Sequence, residues 1–170
     1  MNDHMTITCS DGHPLAASVY APSTPVKAAV MIGPATGIKR QFYHNFATHL
    51  AQLGYGVITF DNRGIGESQP IPINESKADL VQWGRLDMTA VLSTLQATFP
   101  SVSYHLIGHS AGGQLVGLMD NAESLSSMFA FASSSGQLRN MAFKSKFKAH
   151  FFMNTFIPLS NLVFGHTKSQ

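Results

Sequence analysis

The sequence predicts an α/β fold: a mostly parallel sheet with helices on its flanks. Three observations lead there. Short apolar runs alternate with longer stretches of helical periodicity, the rhythm of strand–helix units. The run AAVMIG, starting at Ala28, is apolar or small at every position, as a strand buried on both faces requires. At 170 residues, 44% of them apolar and only 12% charged, the chain can build one substantial core but not two. An ordinary soluble domain carries roughly 25% charged residues. This chain therefore buries much of itself or covers an apolar surface.

Taken in order, MTIT (Met5 to Thr8) and LAASVY (Leu15 to Tyr20) read as two strands around the Asp11-Gly12 turn. AAVMIG supplies the central strand. In FYHNFATHLAQLGY, Phe42, Phe46, Leu50 and Leu53 recur at helical spacing, and Gly54 is placed to end the helix. GVITF (Gly56 to Phe60) is the next strand, followed by the loop DNRGIGESQPIP. A long helix is expected from about Ala78 to Thr98, burying Leu80, Trp83, Leu86, Val91, Leu92 and Leu95, with Pro100 after it. SYHLIG forms a strand, GQLVGLM a helix, and MFAFA (Met128 to Ala132) a sixth strand. From Gly136 onward the alternation stops, leaving helix-like, aromatic-rich sequence.

Several functions are excluded or disfavoured by composition. The net charge of +2 comes without a block of basic residues, which argues against nucleic acid; Lys144, Lys146 and Lys148 read as a solvated helix face. One cysteine, Cys9, rules out an internal disulfide and suits a reducing compartment. The opening MNDHMTITCSDG lacks the basic stretch and apolar core of a signal peptide, so a cytoplasmic location is expected. FFMNTFIPLSNLVFG (Phe151 to Gly165) is too short and too often interrupted by polar residues to span a membrane. The glycines of Arg63-Gly64-Ile65-Gly66 are followed by Pro70 and Pro72 instead of the helix a dinucleotide loop needs. His44 and His49, five apart, fall on different helix faces, and no metal or cofactor is implied.

The most informative stretch is Gly108-His109-Ser110-Ala111-Gly112. It places a serine where a strand ends and a helix begins. So sharp a turn strains the serine backbone and lifts the hydroxyl above the sheet. Side chains two positions either side would collide with strand and helix, and Gly108 and Gly112 meet that demand. Ala111 follows the serine, where its N–H can donate to a developing oxyanion. A second candidate donor is the N–H of Ala35, in the segment GPATG (Gly33 to Gly37) just past the central strand.

Together these segments resemble the first part of an α/β-hydrolase. IGPATG is similar to the family's oxyanion segment, with Gly33 and Pro34 standing where H-G is usual. FDNRGIGES (Phe60 to Ser68) resembles the family's D-x-R-G-x-G-x-S segment, and IGHSAGG its nucleophile elbow. A subgroup of bacterial predicted hydrolases with a GPATG-like segment is the nearest resemblance. It covers roughly residues 5 to 136. It implies that Ser110 attacks an ester or thioester carbonyl of a small acyl substrate, with Ala35 and Ala111 as the oxyanion hole.

The same resemblance raises a question about the base and the acid. In this family the chain order is Ser, then Asp or Glu, then His. After Ser110 the sequence offers only Asp120 and Glu123, and Asp120 lies about 15 Å along a helix from the serine. The position after the sixth strand reads SSSGQ, without a carboxylate. His150 and His166 fall in the segment the family uses as a cap. The expectation is therefore a family core over 1–136, the start of a helical cap over 137–170, and a sheet that stops after six of the family's eight strands. The catalytic acid and histidine are expected outside these residues, leaving this chain alone inactive. A compact hydrolase using His150 or His166, and a non-catalytic relative binding a partner through its apolar end, are the alternatives. The oligomeric state stays open.

Overall fold

A computed structural model describes residues 2–69, 75–76, 78–134, 142–156 and 159. Six strands form one sheet: β1 (Asn2–Thr8), β2 (Pro14–Tyr20), β3 (Ala28–Gly33), β4 (Tyr55–Phe60), β5 (Tyr104–His109) and β6 (Ser127–Phe131). Their order is β1-β2-β4-β3-β5-β6. β1 and β2 form the antiparallel hairpin expected around Asp11-Gly12, and β2 meets β4 antiparallel. The pairs β3–β4, β3–β5 and β5–β6 are parallel, so the sheet is mostly parallel as predicted.

Strand alternation divides the core between the two faces. Val30, Ile32 and Val57 point to one side with Tyr20, Tyr43 and Ala47. Ala29, Met31, Ile58 and Leu106 point to the other with Trp83, Val91, Leu92 and Leu95. Every residue of β3 is buried, because helices cover both faces of the strand.

The first helix forms where predicted but presents a different stripe. A single 3-10 turn, Arg40–Tyr43, runs into α1 (His44–Gln52). Tyr43 and Ala47 face the sheet, whereas Phe42 is 69% and Phe46 43% exposed. The sequence carries two apolar stripes one residue apart, and periodicity does not choose between them. Arg40 chooses. Its guanidinium is buried on Asp61, 2.6 Å away, which rotates the segment so that Tyr43 points inward.

The long helix is also real, with an irregular centre. Asp79 caps it reciprocally with Gln82, the two backbone N–H groups each meeting the other residue's side chain. After α2 (Leu80–Gln82) come a π-helical segment, Trp83–Met88, and α3 (Thr89–Thr98). Val91, Leu92 and Leu95 are fully buried as expected, whereas Leu80 is exposed. Three buried members lie outside the predicted face: Asp87, Met88, and Gly84, which lies against Leu115 and Leu118. The predicted GQLVGLM helix resolves into α4 (Ala111–Gln114) and a 3-10 turn, Leu115–Leu118.

The loop after β4 is buried and ionic. Asp61 receives both the backbone N–H and the guanidinium of Arg40, and the backbone N–H of Glu67. Ser68 donates to the Asp61 carbonyl at 2.7 Å and accepts from Ala16 N–H at 2.8 Å. Arg63 reaches Asp87 at 2.7 Å and Asp11 at 2.7 Å, while Trp83 Nε1–H donates to the Arg63 carbonyl. The D-x-R-G-x-G-x-S segment thus ties β4 to the hairpin, to the start of α1 and to the π-helical segment. Arg63 holds the Asp11 carboxyl below its ordinary pKa. Burial pushes Asp87 up against the pull of the same arginine. Burial, reinforced by Asp87, pushes the Cys9 thiol up to about 12.

By internal contacts the chain divides into two units, Met1–Ser133 and Ser134–Gln170. The second contains α5 (Phe143–Phe151) and a π-helical turn, Phe152–Phe156, where the Phe152 and Phe156 rings meet tilted, 4.6 Å apart. Among the described residues no helix is long and apolar enough to cross a membrane.

Candidate active site

Ser110 stands between β5 and α4 with φ 50° and ψ −112°. A non-glycine residue adopts that conformation only when its surroundings impose it. Here they do so on both sides. The Ser110 N–H donates to the Phe131 carbonyl of β6 at 3.0 Å. Its carbonyl accepts from Gly113 and Gln114 N–H, each at 3.1 Å, and from the Ser133 hydroxyl at 2.9 Å.

The glycines around it are required by contact. A Cβ on Gly108 would run into the backbone of Gly113, and one on Gly112 into the carbonyl of Gly33. The end of β3 therefore lies directly against the first turn after the serine, which brings the GPATG segment beside α4. Ala111 opens α4, where helix geometry leaves the first N–H groups without an intrahelical acceptor.

Ala35, the other expected oxyanion donor, is buried, and its N–H already has a partner. It donates to the Tyr43 hydroxyl at 3.0 Å. The same hydroxyl lies 2.9 Å from His109 Nδ1. Strand alternation explains the meeting: Gly108 faces α4, so His109 faces the side covered by α1. The His109 ring stacks on Phe131 at 4.6 Å and 10°, and Phe42 lies beyond at 6.4 Å. An aromatic wall thus rises next to the serine.

Gly108, Ser110, Ala111 and Gly112 lie on one turn between β5 and α4. Tyr43 and Ser133 were not foreseen. Tyr43 depends on a helix rotation that a buried arginine sets, and Ser133 was weighed only as a place for a missing acid. Asp120 is exposed, and its backbone N–H donates to Thr89 Oγ1. Asp61, Asp87, Asp11 and Glu67 are all engaged with arginines. In the second unit, His150 is exposed and bonded to Asn154 on its own helix. His166 lies outside the described residues.

A family model described as serine aminopeptidase, S33, matches residues 22–166. The chain belongs to this family of α/β-hydrolases. A curated relative, hydrolyase poxO of Penicillium oxalicum, is 32% identical over 114 residues, 61% of this chain and 26% of that protein. Among solved structures, a thermostable carboxyl esterase from Bacillus coagulans aligns with a TM-score of 0.69 at 17% identity, over 95% of this chain and 55% of its own. An α/β serine hydrolase without a lid, from Xanthomonas campestris, aligns with a TM-score of 0.63 at 19% identity, over 80% of this chain and 63% of its own. This α/β-hydrolase sequence therefore spans about a quarter of the curated relative it matches and little more than half of these structures.

Proposed function

We propose that Ser110 is the nucleophile of a serine hydrolase that cleaves ester or thioester bonds. The observation that carries this reading is the Ser110 backbone, held at φ 50° between strand and helix by four hydrogen bonds and two close glycine contacts. Ser110 Oγ attacks the acyl carbonyl while a histidine takes its proton. The tetrahedral oxyanion is stabilised by Ala111 N–H and by the Ala35 side of the site. The alcohol or thiol then leaves with the proton, and water releases the acid from the acyl-enzyme. The wall of Phe42, His109 and Phe131 favours an apolar acyl group.

The activating histidine and its carboxylate are proposed to come from residues outside this sequence. Carboxylates Asp61 and Asp87 of the first unit are buried on arginines, and His109 Nδ1 is engaged with Tyr43. These 170 residues alone would then be nearly inactive. Residues 137–170 are read as the beginning of the family's helical cap segment.

The test is to treat a lysate of the source organism with a fluorophosphonate probe, isolate the protein whose labelled peptide contains Ser110, and weigh it intact. An intact mass well above 18.4 kDa, net of probe, is the expected result. A labelled species at 18.4 kDa would place the base within these residues. Absence of Ser110 labelling would remove the nucleophile reading altogether.

A further inference from the structure

Three segments meet at one phenol. Tyr43 Oη accepts the Ala35 N–H at 3.0 Å, from the loop after β3, and lies 2.9 Å from His109 Nδ1, at the end of β5. A phenol has a single proton. Ala35 supplies its own hydrogen to that contact, so the phenol proton is not spent there, and the His109 tautomer sets which way the Tyr43–His109 bond runs. We propose that the Tyr43 hydroxyl is the second oxyanion donor of this site, with Ala35 N–H acting behind it. The proposal rests on reading Ser110 as the nucleophile.

In the resting site the phenol is hydrogen-bonded to His109, the residue directly before Ser110. As negative charge develops on the acyl oxygen, rotation about the phenol C–O bond turns the hydroxyl proton to the oxyanion. No proton changes owner. Ala35 N–H stays on Tyr43 Oη and polarises the hydroxyl, which strengthens the bond it donates.

The alternative is that Ala35 N–H itself turns to the oxyanion. That N–H is buried and aimed at the Tyr43 oxygen, so it would have to abandon a buried acceptor to do so. Tyr43 is only 3% exposed, and its burial raises the phenol pKa, which keeps the proton on the oxygen at neutral pH. The aromatic packing fixes the donor's position. Tyr43 meets Phe42 edge-on at 5.1 Å and His109 edge-on at 6.1 Å, and His109 is clamped on Phe131. The contact of Gly33 with Gly112 brings this cluster's loop to the start of α4, the other donor's position.

Tyr43→Phe separates the two possibilities by sign. The substitution removes the hydroxyl and frees Ala35 N–H. It is introduced at the native locus, and the rate of fluorophosphonate labelling of Ser110 is compared with wild type, with Ser110→Ala as the blank. The expected result is a fall of about a hundredfold, the usual effect of losing one oxyanion donor. Labelling at the wild-type rate or faster overturns the proposal, because Ala35 N–H is then the donor and Tyr43 merely covers it. If wild-type Ser110 takes no label, the nucleophile reading and this proposal fall together; an unaffected Tyr43→Phe variant sinks this one alone. Should Tyr43→Phe not fold, replacing Tyr43 by 3-fluorotyrosine gives the second readout. The more acidic phenol should move the alkaline limb of the labelling pH profile to lower pH, and an unmoved limb overturns the proposal.

Discussion

The contact between Gly33 and Gly112 joins the two halves of the site, and Gly112→Ala tests how tightly. A Cβ at Gly112 would lie 2.8 Å from Gly33 Cα, with the Gly33 carbonyl carbon and oxygen closer still. Ordinary contact begins at 3.4 Å, so the strand end and the helix must part by more than half an ångström. Neither can give easily. All three Gly33 atoms are backbone, Gly33 is paired in register with Gly108 of β5, and Ser110 anchors the other side through β6. Overpacking against side chains costs about 1–3 kcal/mol, and a backbone obstacle puts this case at the upper end, about 3 kcal/mol. For a chain of this size that is a fall of roughly 6–12 °C in Tm. The control is Gly117→Ala, whose Cβ meets nothing within 4 Å. It should be neutral or stabilising by up to about 1 kcal/mol. Trp83 is the single tryptophan and is buried, so its fluorescence during urea unfolding reports on the first unit. If Gly112→Ala unfolds at the same urea concentration as Gly117→Ala, the close approach of Gly33 and Gly112 is wrong.

Four further outcomes follow from the same structure. Asp87→Ala leaves the Arg63 guanidinium without its fully buried partner and should cost about 3–5 kcal/mol. Asp11→Asn, at a partner that is 37% exposed, should cost about 1 kcal/mol or less in the same urea titration. Ser110→Gly relieves a backbone held at φ 50° and should stabilise the chain by about 1 kcal/mol while abolishing probe labelling; a lower Tm than wild type would count against strain at the serine. Cys9 keeps its proton in the folded chain until about pH 12, whereas in the unfolded chain it ionises near 9.0. The folded pKa is the higher one, so the thiol's contribution is intact below pH 9.0 and is lost as pH rises toward about 12. Cys9→Ala should flatten the alkaline loss of stability, and iodoacetamide should label Cys9 only in urea.

Much of the architecture was legible because it depends on local pattern. An all-apolar run such as AAVMIG has little choice but a strand buried on both faces, and a serine flanked by Gly108 and Gly112 between strand and helix has few other conformations. The rotation of α1 was not legible. Phe42 and Phe46 keep helical spacing as well as Tyr43 and Ala47 do, and the choice fell to Arg40 reaching Asp61, a pairing across 21 residues. The ionic loop was similar. FDNRGIGES could be matched to a family pattern, but its partners Asp11, Ala16 and Asp87 lie on other elements.

What the sequence determined by itself is the order of strands and helices, the sharp turn at Ser110 and the family that turn belongs to. Each of these is set by side chains close together in the chain, where sterics and apolar periodicity act directly. What the tertiary structure decided is which groups face one another at the site. Ala35 was legible as a turn residue with a free N–H. Only folding placed Tyr43 against that N–H and against His109, because the phenol's position depends on how a helix is rotated by a buried charge on a different loop.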